Sequence, residues 1–188
     1  MIKAVITDFD GTLVDTFLAN CCAYCQAFTE CGLHLSVNTY KECFGLRFDE
    51  FMETVGITDI ETKKKIKDLK KAAYPNYFHM LKLNTVLYNT LKCMKESGIK
   101  IAIASTATRE NLINVLNHLG ISDVFDLIFT GENVKCGKPD PEIYILTMEQ
   151  LGVTPNETII YEDSDVGIKA AETSKAKYIK VTKKWFEI

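Results

Sequence analysis

Short apolar runs alternate with amphipathic stretches along this chain. Five runs have the composition of buried parallel strands, at residues 4–7, 99–104, 127–130, 158–161 and 178–181. Between them, residues 109–119 repeat leucine and valine at helical spacing, and Gly120 follows where a helix C-cap belongs. Asp140 and Pro141 predict the N-cap and first residue of another helix. This alternation indicates an α/β fold: a doubly wound, Rossmann-like parallel sheet with helices on both faces.

One long interval interrupts the alternation. Residues 15–81 contain no good strand pattern and show helical patterning at 17–31, 48–55 and 60–74. The interval is too long for one crossover between neighbouring strands. We therefore predict a helical subdomain at residues 15–81, inserted after the first strand into an α/β core formed by residues 1–14 and 82–188.

Composition narrows the class of protein. Of the 188 residues, 47% are hydrophobic and 25% charged, as in ordinary globular proteins. The net charge of -3 provides no overall positive field for binding nucleic acid or anionic membranes. No apolar run approaches the ~20 residues of a membrane span, and the opening residues 1–7 lack a signal-peptide cleavage site. We expect a soluble, cytoplasmic protein, monomeric or weakly dimeric, that binds neither nucleic acid nor membrane.

Cysteines and lysines are concentrated in the predicted insertion. The seven cysteines are odd in number, which favours free thiols in an intracellular protein. Cys22 and Cys25 have the spacing of zinc or redox sites, but no second ligand pair follows them. Cys21 and Cys25 share a helix face, so packing is the favoured explanation. The lysines within residues 63–71 favour a solvated helix face over a binding patch.

Two carboxylates follow the first predicted strand. In open α/β sheets, sites form beyond the carboxyl ends of the strands. Because side chains alternate along a strand, Asp8 and Asp10 can point the same way while Phe9 enters the core. Gly11 then permits a turn and a close approach of the backbone to a ligand. Two adjacent acids indicate a hard cation or acid–base chemistry.

Three further strand ends carry polar residues. Ser105 and Thr106 precede a helix start, where hydroxyls and free amides bind anions. Lys138 lies in a loop stiffened by prolines, and Glu162 with Asp163 ends the fourth strand. Carboxyl ends of parallel strands meet at one edge of the sheet, so the combination predicts a Mg²⁺-assisted phosphate site there.

These motifs resemble the haloacid dehalogenase superfamily of phosphatases and phosphomutases. Its first motif is matched by Asp8-Phe9-Asp10-Gly11-Thr12, its second by Ser105, its third by Lys138 and its fourth by Glu162-Asp163-Ser164. The match extends from residue 3 to residue 182. The insertion is similar to the helical C1-type cap of the branch that contains β-phosphoglucomutase-like and phosphoglycolate-phosphatase-like enzymes.

The resemblance implies a role for each matched residue. Asp8 would be the nucleophile and Asp10 the general acid and base. Mg²⁺ would be held by the carboxylates of Asp8 and Asp163 and by the backbone carbonyl of Asp10. The expected phosphate-binding residues are Gly11, Thr12, Ser105, Thr106 and Lys138. Glu162 would support the metal ligands, while Asp165 is either a further acid of the site or an exposed helix-start residue.

The same residues discriminate among the family's reactions. Asp10 favours phosphoryl transfer over carbon–halogen cleavage, because only an alkoxide leaving group needs its proton and the family's dehalogenases lack an acid there. Asn20 stands where phosphoglucomutase-like members carry a histidine, which disfavours mutase activity. Arg47 is a candidate contact for a substrate anion, with an exposed helix start as the alternative.

The sequence thus predicts a Mg²⁺-dependent phosphatase that acts on a small phosphorylated metabolite through an aspartyl-phosphate. A sugar-phosphate phosphomutase is the nearest alternative. A catalytically silent binding protein of the same fold is a third.

Overall fold

The computed structural model describes residues 1–187, which divide into two compact units. The core unit consists of Met1–Asp15 and the chain from Lys82 onward, and the helical unit is Thr16–Leu81. In chain order the elements are β1 (Ala4–Thr7), β2 (Val14–Asp15), α1 (Phe17–Glu30), α2 (Val37–Cys43), α3 (Phe48–Thr54), α4 (Ile60–Ala73), β3 (Lys82–Leu83), α5 (Thr85–Glu96), β4 (Lys100–Ser105), α6 (Arg109–Leu119), β5 (Leu127–Thr130), α7 (Glu142–Leu151), β6 (Thr158–Glu162), α8 (Asp165–Thr173) and β7 (Lys177–Lys180). Short 3-10 helices include Tyr74–Met80 and Lys183–Phe186.

The core unit is built on a five-stranded sheet in the order β5-β4-β1-β6-β7. Every neighbouring pair is parallel, and β1 pairs with both β4 and β6. All four residues of β1 are buried, as expected for a central strand with both faces covered. The predicted α/β class with a parallel sheet is therefore confirmed. The carboxyl ends of β1, β4 and β6 lie side by side, and the predicted chemical residues follow them.

Small side chains let helices pack closely on this sheet. Ala102 and Ala104 of β4 lie against the same buried cluster as Ala170 and Ala171 of α8. Larger side chains of α7 complete the cluster, among them Ile143, Tyr144 and Met148. Because α7 packs on the strands this tightly, the loop that precedes it, which contains Lys138, is brought to the sheet edge.

A small antiparallel pair joins the two segments of the core unit that flank the helical unit. Val14 pairs with Leu83 and Asp15 with Lys82. The buried Asn84 side chain then donates to the Thr12 carbonyl at 3.1 Å and accepts from the Leu87 amide at 3.0 Å. Asn84 thereby caps α5 and fixes the loop that follows β1 in the same set of bonds.

The helical unit has an aromatic core of its own. The rings of Tyr24 and Phe51 meet edge to face at 5.0 Å, and Met52 and Ile66 are fully buried. Cys21 and Cys43 belong to this core, and all seven cysteines of the protein are free. Packing thus accounts for the two most buried thiols.

Three local features differ from the sequence-based expectations. Helix α7 begins at Glu142, one residue later than predicted, with Pro141 at its N-cap. The Asp140 carboxylate nevertheless accepts the Glu142 amide at 2.9 Å, which is the capping contact predicted for Asp140. Helix α2 was not expected, since its seven residues are largely polar; the Ser36 hydroxyl caps it by accepting the Thr39 amide at 3.0 Å. Strand β7 is an exposed edge strand, one residue earlier than predicted.

In residues 1–187, no helix combines the length and apolarity needed to span a membrane.

Candidate active site

Asp8 and Asp10 lie directly beyond the carboxyl end of β1. The Asp8 amide donates to the Tyr161 carbonyl of β6 at 2.9 Å, which continues the parallel pairing and places the Asp8 side chain at the sheet edge. Phe9 is buried, as the alternation of side chains predicts. At Gly11 the backbone has φ +88°, and a Cβ there would collide with the Asp163 carboxylate. Glycine is therefore required both for the turn and for the approach of Asp163.

Lys138 is buried between two carboxylates. Its ammonium donates to Asp8 Oδ1 at 2.6 Å, to Glu162 Oε1 at 2.7 Å and to the Ala104 carbonyl at 3.3 Å, and its side chain is only 4% exposed. Burial acts to lower the pKa of Lys138, but the negative charges around it, Asp8 first, hold that pKa well above its ordinary value. Lys138 is thus a fixed positive charge beside Asp8.

Both oxygens of Glu162 are occupied by donors. Oε1 accepts from Lys138 and from the Tyr144 hydroxyl at 3.1 Å, while Oε2 accepts from the Ser164 amide at 2.9 Å and hydroxyl at 3.0 Å. Gly167 stands against this carboxylate, and a Cβ there would overlap it. The first turn of α8 therefore closes over Glu162, which acts as an anchor for Lys138.

Asp163 is held by Thr12 across the site. The Thr12 hydroxyl, itself fully buried, donates to Asp163 Oδ1 at 2.8 Å. Burial, followed by the negative charge of Glu162, raises the pKa of Asp163 to about 6. The side chain of Thr12 is thus engaged in orienting an acid; its predicted part in binding phosphate stays a prediction, as does that of the neighbouring Gly11.

The carboxylates form a cluster with too little positive charge. Oxygen atoms of Asp8, Glu162 and Asp163 all lie within 4.8 Å of one another, the only such group of potential metal ligands within residues 1–187. Burial raises the pKa of Asp8 well above its usual value despite the attraction of Lys138, and both neighbouring acids add to this rise. A hard divalent cation would relieve this repulsion, and carboxylate oxygen is its preferred ligand. The residues present therefore fit such an ion.

Ser105 connects the end of β4 to the same site. Its hydroxyl lies 3.4 Å from Asp10 Oδ2 and accepts the Ala107 amide at 3.1 Å. The turn that contains Thr106 is packed from behind by Gly131, where a Cβ would stand 2.7 Å from the Thr106 carbonyl oxygen. The loops after β1, β4 and β6 and the Lys138 loop thus converge at one edge of the sheet.

Three further candidates are Asn20 and Arg47 of the helical unit and Asp165 at the start of α8. Asn20 is buried in α1 of the helical unit, and Arg47 precedes α3, its amide donating to Glu50 at 3.4 Å. Roles of Asn20 and Arg47 in specificity stay predictions. Asp165, whose side chain is 95% exposed, pairs with Lys180 at 3.0 Å. This contact matches the helix-start alternative for Asp165.

Sequence reasoning did not identify Tyr144 as part of the site. It lies two residues into the helical pattern that follows Pro141, on the apolar face of α7, where a tyrosine is indistinguishable from a core aromatic. A signal was nevertheless present: Tyr144 follows Lys138 by six residues, in the first turn of the helix that packs the Lys138 loop onto the sheet.

The fold and the site together define a class of protein. The protein combines a parallel α/β sheet, a buried carboxylate at the end of the central strand, a lysine fixed beside it and an acidic cluster suited to a hard cation. This combination is typical of hydrolases with a carboxylate nucleophile. The chain belongs to the haloacid dehalogenase-like hydrolase family, whose model matches residues 5–181.

Two curated proteins and one solved structure show which kinds of enzyme in this family the chain resembles. The chain is 32% identical to a phosphorylated carbohydrates phosphatase of Thermotoga maritima, over 92% of this chain and 82% of the relative. It is 29% identical to a phosphoglycolate phosphatase of Aquifex aeolicus, over 94% and 83%. A solved β-phosphoglucomutase from Clostridium difficile superposes with a TM-score of 0.82 at 28% identity, over 100% of this chain and 87% of that one. The chain is thus an enzyme of this hydrolase family and resembles its phosphatases.

Proposed function

We propose that this protein is a Mg²⁺-dependent phosphatase that hydrolyses a small phosphomonoester through an aspartyl-phosphate on Asp8. The observation that carries the proposal is the position of Lys138, whose ammonium is 2.6 Å from Asp8 Oδ1 and fixed from behind by Glu162. Lys138 holds one carboxylate oxygen of Asp8, and the other oxygen would attack phosphorus. The phosphatases among the relatives support a phosphatase activity.

The reaction would proceed in two displacements. In the first, an Asp8 oxygen bonds to phosphorus while the ester P–O bond breaks, and the leaving oxygen takes a proton from Asp10. In the second, a water attacks phosphorus and gives its proton to Asp10, and the bond to Asp8 breaks. Lys138 and Ser105 would balance charge on the phosphoryl oxygens during both steps. Inorganic phosphate is released and both acids return to their initial states.

Asp8 and Asp163 are the side chains proposed to hold Mg²⁺. Glu162 has both oxygens engaged by other donors, so it supports the site from behind. The Asp10 carbonyl remains the third predicted ligand. When bound, the ion would neutralise part of the charge that Asp8 and the phosphate bring together.

The helical unit is proposed to serve as the cap that selects the substrate. Its helices occupy Thr16–Leu81, and Arg47 within it is a candidate contact for a substrate anion. A small phosphorylated metabolite is the expected ligand. We expect a monomer or weak dimer.

A phosphomutase is the second candidate, because a β-phosphoglucomutase is among the similar solved structures. A mutase returns the phosphoryl group to sugar instead of to water. Asn20, at the predicted position of a proton-transferring histidine, favours the phosphatase.

Hydrolysis of p-nitrophenyl phosphate with and without Mg²⁺ tests the proposal. We expect turnover that requires Mg²⁺ and falls at least about 1,000-fold in Asp8→Asn, since the amide is not a nucleophile. Asp165→Asn is the matched control and should keep wild-type activity, because its side chain is 95% exposed and pairs with Lys180. Wild type without turnover, or an active Asp8→Asn, would contradict the proposal. A panel of sugar phosphates then separates released phosphate from isomerised sugar.

A further inference from the structure

Tyr144 is a buried polar residue at the site that the proposed reaction does not use. Its side chain is fully buried, and its hydroxyl donates to Glu162 Oε1 at 3.1 Å. The ammonium of Lys138 lies 5.0 Å from the centroid of the Tyr144 ring. A phenylalanine would fill nearly the same volume without a hydroxyl to desolvate, so the hydroxyl calls for an explanation.

Tyr144 and Lys138 donate to the same oxygen of Glu162. The Lys138 ammonium donates to Oε1 at 2.7 Å, and the Tyr144 hydroxyl donates to the same atom at 3.1 Å. The amide and hydroxyl of Ser164 both donate to Oε2. Donors on both oxygens fix the carboxylate plane from each end. Without the tyrosine hydroxyl, Oε1 would be held by Lys138 alone. The carboxylate could then turn with the ammonium as the charge on Asp8 changes.

The charge on Asp8 does change in the proposed reaction. Before the reaction Lys138 is shared between the carboxylates of Asp8 and Glu162. After phosphorylation of its other oxygen, Asp8 is an acyl phosphate whose carboxyl group no longer carries the negative charge that faced Lys138. Lys138 must then serve the phosphoryl oxygens from an unchanged position, because preorganised charge is what stabilises the transition state. Of the other two acceptors that the structure shows for Lys138, the Ala104 carbonyl is neutral and Glu162 is the one that carries a negative charge.

We propose that Tyr144 is a positioning residue for phosphoryl transfer, whose hydroxyl locks Glu162 and whose ring faces Lys138, so that the ammonium stays in place through both displacements. This inference rests on the proposed phosphatase function. It adds a residue outside the matched motifs to the machinery that holds the phosphoryl group.

Tyr144→Phe tests the inference, with Tyr161→Phe as the matched control. Tyr161 is another buried tyrosine of the core unit, and its ring packs edge-on against Trp185 at 6.2 Å. We expect Tyr144→Phe to lower kcat for p-nitrophenyl phosphate about tenfold, the scale of one hydrogen bond. The inhibition constant of orthovanadate, which mimics the transferring group, should rise by a similar factor, while KM changes less than about twofold. Tyr161→Phe should match wild type in all three.

Orthovanadate separates positioning from a general loss of structure. A variant that is partly unfolded has fewer active molecules, so kcat falls while the inhibition constant stays unchanged. An unchanged inhibition constant in Tyr144→Phe, with or without a fall in kcat, would overturn the inference. Wild type without turnover would instead defeat the proposed phosphatase function, so the two failures are distinguishable.

Discussion

Replacing Glu162 with glutamine would remove the anchor of the buried lysine while keeping the size of the side chain. The glutamate accepts from Lys138 and Tyr144 on one oxygen and from the amide and hydroxyl of Ser164 on the other. Glutamine has one acceptor oxygen and one NH₂ group. Its NH₂ group would therefore face either Lys138 and Tyr144 or Ser164, all of which are hydrogen-bond donors. With Glu162 only 1% exposed, water cannot compensate on the strained side.

The magnitude follows from the remaining contacts. Removing one partner of a buried ion pair costs about 3–5 kcal/mol. Here Lys138 keeps Asp8 at 2.6 Å, and loss of one negative charge relieves the repulsion among the acids, which reduces the cost. We expect Glu162→Gln to lower the free energy of unfolding by about 2–3 kcal/mol, and the Tm by about 4–12 °C for a chain of this size.

Urea and thermal unfolding of the metal-free protein measure this effect. Asp165→Asn is the control, since it changes a neighbouring acid of the same segment whose side chain is 95% exposed. We expect its unfolding midpoint to equal that of wild type. If Glu162→Gln unfolds at the wild-type midpoint, the buried lysine does not depend on this carboxylate and the description of the site is wrong.

Three further outcomes are expected. Gly131→Ala should lower kcat/KM at least about tenfold and also lower the free energy of unfolding, because its Cβ would stand 2.7 Å from the Thr106 carbonyl oxygen and the backbone would have to move; wild-type kinetics would contradict this. The pKa of Asp163 is raised to about 6 in the metal-free folded protein, which therefore binds the Asp163 proton more tightly than the unfolded chain does. Ionising Asp163 lowers the stability of the fold by its full amount above about pH 6, and this cost disappears as the pH falls toward the ordinary pKa of an aspartate. Titration calorimetry should accordingly show Mg²⁺ affinity at least about fourfold weaker near pH 5.5 than near pH 7.5, since the raised pKa of Asp8 acts in the same direction, and equal affinities would refute it. Burial raises the pKa of Cys21 to about 12, so a thiol reagent should label exposed Cys136 and spare Cys21 until the protein unfolds, as peptide mass spectrometry can show.

The sheet could be predicted because its strands carry their signal locally. A central parallel strand is buried on both faces, so an apolar run such as Ala4–Thr7 has few other interpretations. Helix α2 could not be predicted in this way, because its seven residues are mostly polar and depend on the Ser36 cap and on tertiary packing. Strand β7 was predicted as buried but is an exposed edge, since periodicity does not reveal the order of strands in a sheet.

The candidate site was predictable as far as its residues follow strand ends. Asp8, Ser105 and Glu162 each stand where a parallel strand stops, so the topology alone brings them together. The contacts among side chains were not predictable. Thr12 orients Asp163, and Tyr144 shares an oxygen of Glu162 with Lys138. Both contacts depend on three-dimensional placement, because the local sequence around Thr12 and Tyr144 looks the same as that around a residue that only packs in the core.

The central claim is that Asp8 becomes covalently phosphorylated and that Asp10 activates the water that releases the phosphate. Asp10→Asn with p-nitrophenyl phosphate tests it most directly, because p-nitrophenolate leaves without a proton and only the second displacement still needs the base. We predict a burst of one p-nitrophenolate per active site, then steady turnover at least about 100-fold below wild type. Acid quenching followed by peptide mass spectrometry should place a phosphoryl group on Asp8. Absence of the burst, or a phosphoryl group on any other residue, would contradict the account.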